Sequence, residues 1–355
     1  MNLLWLSGRV IGRDMAGTTE EHLCINLEKL GNKIVLISPG DIQDSTFEHI
    51  SVRRIGIQGL ETLSAARNVR KVLNRGKERF AFFDALLVDW RFVRMLRSDL
   101  NSLGIPWIVV DRGPPATSGI IGNRIRRELL RNIQKIYWRA AWKEAKKHAI
   151  GGFVVSKSHR LLINDYFAEK NLYILPAGSE RNKFLGPKGK PSELLKIAYV
   201  GRIDKKRGLE DIIKFSDELD LLGIKHHISL AGEGDMQEEF AKSCGRRFCN
   251  LGRIGQEEVM ELLAGQHVGL LPMPNLPIWR IASPLKLAEY LASGLALVGP
   301  MHPGNKMEKS GKWNLLSKKN WWVRSAKKVE DSIQNRDWEK EIVEPAIESS
   351  RSLLW

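Results

Sequence analysis

Short apolar runs recur through the first half of this chain, each followed by a stretch with helical spacing. LLWLS, KIVLIS, ALLVDW, PWIVV and GFVVS are rich in Leu, Ile and Val and fit buried strands. The second half repeats the alternation through IAYVG, HISLAGEG, FCNLG, VGLLPM and ALVGP. Strands and helices alternating in this way predict an α/β fold. Residues 182–192, NKFLGPKGKPS, are rich in Gly, Pro and Lys and read as a linker. The expected organisation is a first domain over 1–181 and a second over 193–334, with a closing helix over about 335–355.

One helical stretch breaks the pattern. Residues 123–148 carry Arg124, Arg126, Arg127, Arg131, Lys135, Arg139, Lys143, Lys146 and Lys147 against only Glu128 and Glu144. Ile125, Leu129, Ile133, Ile136 and Ala140 recur at helical spacing, with Tyr137, Trp138 and Trp142 at the margin. A core helix with one solvated face fits this, and so does a basic amphipathic helix lying on an anionic membrane. Both hold if the stripe packs inward and the basic face meets headgroups.

Candidate chemistry concentrates in the second half. SPLKLAEYLASG places Pro284 near the first helical position and Lys286 and Glu289 three apart, on one helix face. A helix start behind a strand offers free N–H groups and a positive dipole end to an anion. An acidic residue a turn further on suits a ribose, which makes a nucleoside diphosphate the natural ligand. A buried helix with one exposed ion pair reads the same segment. Upstream, IAYVGRIDKKRGLEDIIKF gives a strand, a tight turn at Gly201 and a basic loop whose Arg202 and Arg207 can clamp phosphate. Solvated surface arginines would read that loop alone. Two such loops at the carboxyl ends of strands point to one anion site.

At these motifs the chain resembles the retaining nucleotide-sugar glycosyltransferases of the large family 4 (group 1). The resemblance rests on Gly201, Arg202, Arg207 and Gly208, on the Gly232-Glu233-Gly234 turn, and on Leu251-Gly252-Arg253-Ile254. Ser283, Pro284, Leu285, Lys286 and Glu289 match the family's donor helix, and ILPAGSERNKF its hinge. A glycine loop at Gly17 matches more loosely. What this implies is a GT-B fold of two facing Rossmann-like domains with a cleft between them. The C-terminal helix would cross back to the first domain. It also implies sugar transfer of the hexosyltransferase class, from a nucleoside diphosphate sugar to an acceptor hydroxyl with retention at the anomeric carbon. Two positions depart from the family pattern. Ile281 stands where a glutamate often precedes Glu289 by eight residues, and Asp111 and Arg112 stand where a histidine often lies near the sugar.

Composition narrows the partners. The chain has 355 residues, 43% of them hydrophobic, and a formal net charge of +15, which calls for an anionic substrate, polyanion or membrane surface. Cys24, Cys244 and Cys249 form no metal-like pairing and fit a reducing compartment. His226 and His227 are neighbours on a strand and face opposite ways. His22 reads as structural. Asp84 and Asp89 bracket a strand, and nothing else supports hydrolysis by a carboxylate pair. No Asp-x-Asp motif is present, so Arg202, Arg207, Lys286 and the helix start must neutralise the leaving diphosphate without metal or cofactor. Asp111 is the expected group orienting acceptor or sugar. The expected acceptor is a glycan, lipid-linked or polysaccharide, met by a cytoplasmic protein peripheral to the inner face of a membrane. A catalytically silent nucleotide-sugar-binding protein and a nucleic-acid-binding protein are the competing readings. The phosphate loops sit badly with nucleic acid, which is not an expected partner.

Overall fold

The computed structural model describes the whole chain except residues 12–14, 43–44, 58–59, 114–123, 169–170, 187, 244–246, 308–309 and 355; the side chains of 15–16 and 124–127 are also left undescribed. Cys244 and the side chains of Arg124, Ile125, Arg126 and Arg127 therefore lie outside the described residues. The chain divides into a unit over Met1–Pro176 and one over Ala177–Leu354.

The first unit runs β1 (Asn2–Leu6), α1 (Met15–Lys29), β2 (Lys33–Ser38), β3 (Glu48–Ser51), α2 (Glu61–Arg75), α3 (Lys77–Phe80), β4 (Ala85–Asp89), α4 (Trp90–Val93), α5 (Arg97–Leu103), β5 (Trp107–Asp111), α6 (Arg124–His148), β6 (Gly151–Val154), α7 (Lys157–Ile163) and β7 (Leu172–Ile174). Its seven-stranded sheet has the order β3-β2-β1-β4-β5-β6-β7, every pairing parallel. Alternate residues of one strand serve opposite faces. Leu4 and Leu6 join a core with α2, α4 and α6, whereas Leu3 and Trp5 join one with α1. Burial on both faces is why these strands read as unbroken apolar runs.

The second unit runs β8 (Leu195–Val200), α8 (Glu210–Leu221), β9 (His226–Ala231), α9 (Gln237–Ser243), β10 (Phe248–Gly252), α10 (Gln256–Ala264), β11 (Val268–Leu270), α11 (Pro277–Arg280), α12 (Leu285–Ala292), β12 (Ala296–Val298), α13 (Trp321–Asn335) and α14 (Glu344–Ser350). Its parallel sheet has the order β10-β9-β8-β11-β12. In each sheet the strand order reverses once, between β1 and β4 and between β8 and β11. Crevices at the carboxyl ends of such reversals are where open α/β sheets hold ligands.

One sequence expectation changes here. The linker expected over 182–192 lies within the second unit. Asn182 donates to Met260 O and Ser293 Oγ, and the buried Lys188 ammonium donates to the carbonyls of Leu263, Gln266 and Ser293. Its Gly and Pro content suggested slack, but three carbonyls left open at the ends of α10 and α12 need a donor, and Lys188 supplies it. The closing stretch places Trp338, Ile342, Val343 and Ala346 in the second unit's core, and α14 packs on α12.

Candidate donor site in the second unit

The site is assembled where β8 and β11 part. β8 ends at Val200, and Gly201 follows at φ 129° with its N–H on Ala231 O. The loop after β9 presses against it: a Cβ on Gly232, itself at φ 149°, would lie 2.0 Å from Gly201 O. Both positions need glycine, for conformation and for room. Gly234 sits equally close to the Ile203 carbonyl, and Gly208 to that of Pro272. The loops thus pack backbone to backbone beneath the first turn of α12.

Lys286 reaches into that junction. Its Nζ lies 4.2 Å from the centre of the Tyr199 ring and 3.1 Å from where a Gly201 Cβ would be. The residue is 4% exposed, and the ammonium has no hydrogen-bond partner. Burial, and then the nearby Arg207 charge, hold its pKa well below the ordinary lysine value, with Glu289 pulling the other way. A buried cation with no acceptor is costly unless something else supplies one.

Glu289 lies one turn along α12. It is buried and accepts a 2.9 Å hydrogen bond from Gln256 Nε2 on one oxygen. Burial raises its pKa, opposed by the Gln256 bond and by Lys286. Arg207 is largely covered, with its guanidinium 5.3 Å above the Trp279 ring. Arg202 is more open to solvent. Its side chain is 62% exposed and forks onto Asp204 at 2.8 and 3.2 Å. Gly201, Arg207, Lys286 and Glu289 are therefore brought together, whereas Asp204 stands between the two arginines, held by Arg202 and 4.0 Å from Arg207 Nε. Arg253 is exposed and Ile254 partly buried after β10. Pro284 stands just ahead of the helix, which begins at Leu285, and Ser283 Oγ accepts from the Ala177 N–H at 2.9 Å.

Tyr199, Asp204, Gln256 and Trp279 had gone unnoticed in the sequence. Tyr199 had a signal, two residues before the turn glycine in a strand otherwise aliphatic. Gln256 had none, since it is 33 residues from the carboxylate it holds.

In the first unit two expectations are corrected. Gly17 is within the first turn of α1, not a loop, and a Cβ there would meet Val10 O at 2.6 Å. Asp111 is fully buried, and its oxygens accept from Trp138 Nε1 (2.6 Å), Trp142 Nε1 (2.9 Å) and the Gly113 N–H (2.9 Å), with His159 Nε2 at 3.4 Å. Burial would raise its pKa, but His159 and the two indoles outweigh it and hold it at about 2. The carboxylate is committed to joining α6 and α7 to the end of β5, which leaves it nothing to offer a sugar. Trp138 and Trp142, read as interfacial, are core residues for the same reason.

Among the described residues no group of three or more His, Cys, Asp or Glu is placed to hold a metal ion, and no helix is long and apolar enough to cross a membrane.

No protein-family model and no curated protein sequence matches this chain. Solved structures do. Sucrose-phosphate synthase from Thermosynechococcus elongatus superposes with a TM-score of 0.75 at 12% identity, over 100% of this chain and 95% of that one. Anabaena HepE in complex with UDP and glucose gives 0.70 at 13%, over 100% and 95%. WaaG, a glycosyltransferase involved in lipopolysaccharide biosynthesis, gives 0.62 at 12%, over 99% of each chain. The likeness covers both units, and the chain has the GT-B fold of two Rossmann-like units that these glycosyltransferases share.

Proposed function

We propose that the protein is a glycosyltransferase whose second unit binds a nucleoside diphosphate sugar. The observation that carries this is Lys286, a buried, unpartnered ammonium at a strand-order reversal, beside Arg207 and a turn from Glu289. A diphosphate supplies the acceptor that Lys286 lacks. Glu289 has one oxygen on Gln256 and the other for ribose hydroxyls. HepE, of the same fold, has been solved with UDP and with UDP-glucose, which supports the donor class.

In this reading Arg207, Lys286 and the start of α12 hold the diphosphate and stabilise the charge that grows as the glycosidic bond breaks. The acceptor hydroxyl attacks the anomeric carbon on the face the diphosphate leaves, and the departing phosphate oxygen takes its proton. Configuration is retained, and no metal is required. The acceptor is a glycan presented at a membrane, lipid-linked or polymeric, met by a cytoplasmic protein on the inner face. The cationic face of α6 supports this, since each Lys or Arg near an anionic surface contributes about 1 kcal/mol.

Lys286→Met tests the donor site. Transfer from a panel of UDP-, GDP- and ADP-linked sugars, run in excess chelator, should fall about 100-fold or more in the variant. Its unfolding midpoint should stay put or rise, because a buried charge is removed. Undiminished transfer in the variant would overturn the assignment, and wild-type loss restored by magnesium would overturn the metal-free mechanism. Donor binding without transfer in the wild type would leave a nucleotide-sugar-binding protein.

A further inference from the structure

Helix α6 is too long for the sheet it covers. Its 25 residues span roughly 37 Å, against about 17 Å for the five residues of β5. Its depth is fixed by the bonds from Trp138 and Trp142 to Asp111, the last residue of β5, and by Tyr137 Oη on the Arg91 carbonyl just past β4. The turns of α6 before Tyr137 therefore extend past the carboxyl edge of the sheet, with Leu130 and Arg131 still partly covered.

That overhang carries apolar side chains facing away from the core. Leu129, Ile133 and Ile136 are 59%, 52% and 66% exposed, at spacings that put them on one stripe. Ile136 and the buried Trp138 are two residues apart, roughly 200° round the helix, so the stripe points opposite to the packed face. Lys135, Arg139 and Lys143 are exposed beside it or further down the helix. The one exposed anion there, Glu128, is paired with Arg131. A second apolar cluster lies past the carboxyl end of β3, where Ile55, Ile57, Leu60 and Leu63 are exposed next to Arg53 and Arg54. It leads into α2, which shares the same core, and hence the same sheet face, as α6.

We infer that these exposed apolar residues, on α6 and around Ile57, insert into an anionic lipid bilayer. Apolar side chains at the tip of a cationic shaft match acyl chains beneath anionic headgroups, whereas a solvated helix end has no use for them. This deepens the membrane-presented acceptor proposed above: the helix enters the bilayer by its apolar stripe, with cations at the headgroups.

Co-sedimentation with phosphatidylcholine vesicles of rising phosphatidylglycerol content tests it. The wild type should bind, and part of the binding should survive salt that screens headgroup charge. The combined Leu129→Ser, Ile133→Ser and Ile136→Ser variant keeps every cation and should bind at least roughly tenfold more weakly. These side chains are exposed, so its circular dichroism and unfolding midpoint should match the wild type. Equal binding by the two proteins, or none by the wild type, overturns the inference. So does a lipid-free sedimentation shift in which only self-association is lost, since the stripe would then face a second copy of the chain. UDP-, GDP- and ADP-sugar binding by calorimetry is independent of all these outcomes, so failure here is separable from failure of the donor site.

Discussion

Both units place charged groups where their strand order reverses, but they treat the charges differently. In the first unit the described charges at the ends of β1, β4 and β5 face partners from within. Arg9 faces Glu20, Arg91 donates to Asp89 from its guanidinium and its backbone N–H, and Asp111 receives two indoles beside His159. In the second unit Lys286 has no acceptor, and only one oxygen of Glu289 is engaged. A buried charge with internal partners has its desolvation cost offset within the scaffold, whereas one without partners costs stability that a ligand can return. The same topology thus yields a braced end in one unit and an open one in the other.

The comparison is broken most sharply at Asp111. Asp111→Ala leaves two indole N–H groups and His159 unanswered in the core, and should cost about 3 to 5 kcal/mol in urea unfolding. Nucleoside diphosphate affinity of the folded variant should be unchanged. Intact stability would show that the bracing is not needed.

Glu20 sharpens the contrast through pH. Burial raises its pKa from the ordinary 4.5 to about 7, aided by Asp89 and opposed by Arg9, the Ser7 hydroxyl and Arg112. The folded form therefore holds the proton more tightly than the unfolded chain. Stability from this group is full below about pH 4.5 and is lost as pH rises to about 7, by about 3 kcal/mol at most. Thermal unfolding should show the wild type losing stability between pH 5 and 8 and Glu20→Gln losing less. Parallel profiles would mean that Glu20 is already ionised.

The smallest effect is expected at Glu289. Glu289→Gln keeps the shape but not the charge, and should weaken binding of the free nucleoside diphosphate about tenfold by calorimetry. Unchanged affinity would place the ribose elsewhere.

What was legible in the sequence follows from what a sequence encodes locally. Strands buried on both faces announce themselves as apolar runs, and Lys286 and Glu289 share a helix face because three residues nearly make a turn. The stripe of α6 was legible as a stripe, but periodicity does not say which side meets the core, and the tryptophans took that place. Asp111 looked available because its partners lie 27 and 31 residues downstream. Arg202 looked like half a clamp because ion pairing with Asp204, two residues on, depends on rotamers that spacing does not fix.

The overhang of α6 makes one helix into two thermodynamic objects. From Trp138 onward it folds with the sheet and shares its cooperativity. Before it, Leu129, Ile133 and Ile136 are exposed and Leu130 and Arg131 only partly covered, so that end is held by less packing than the part on the sheet. Ordering that segment and transferring its apolar face out of water are then a single linked equilibrium. Part of the gain from burial goes into fixing the helix, so the protein would attach to lipid more weakly, and release more readily, than its exposed apolar area suggests.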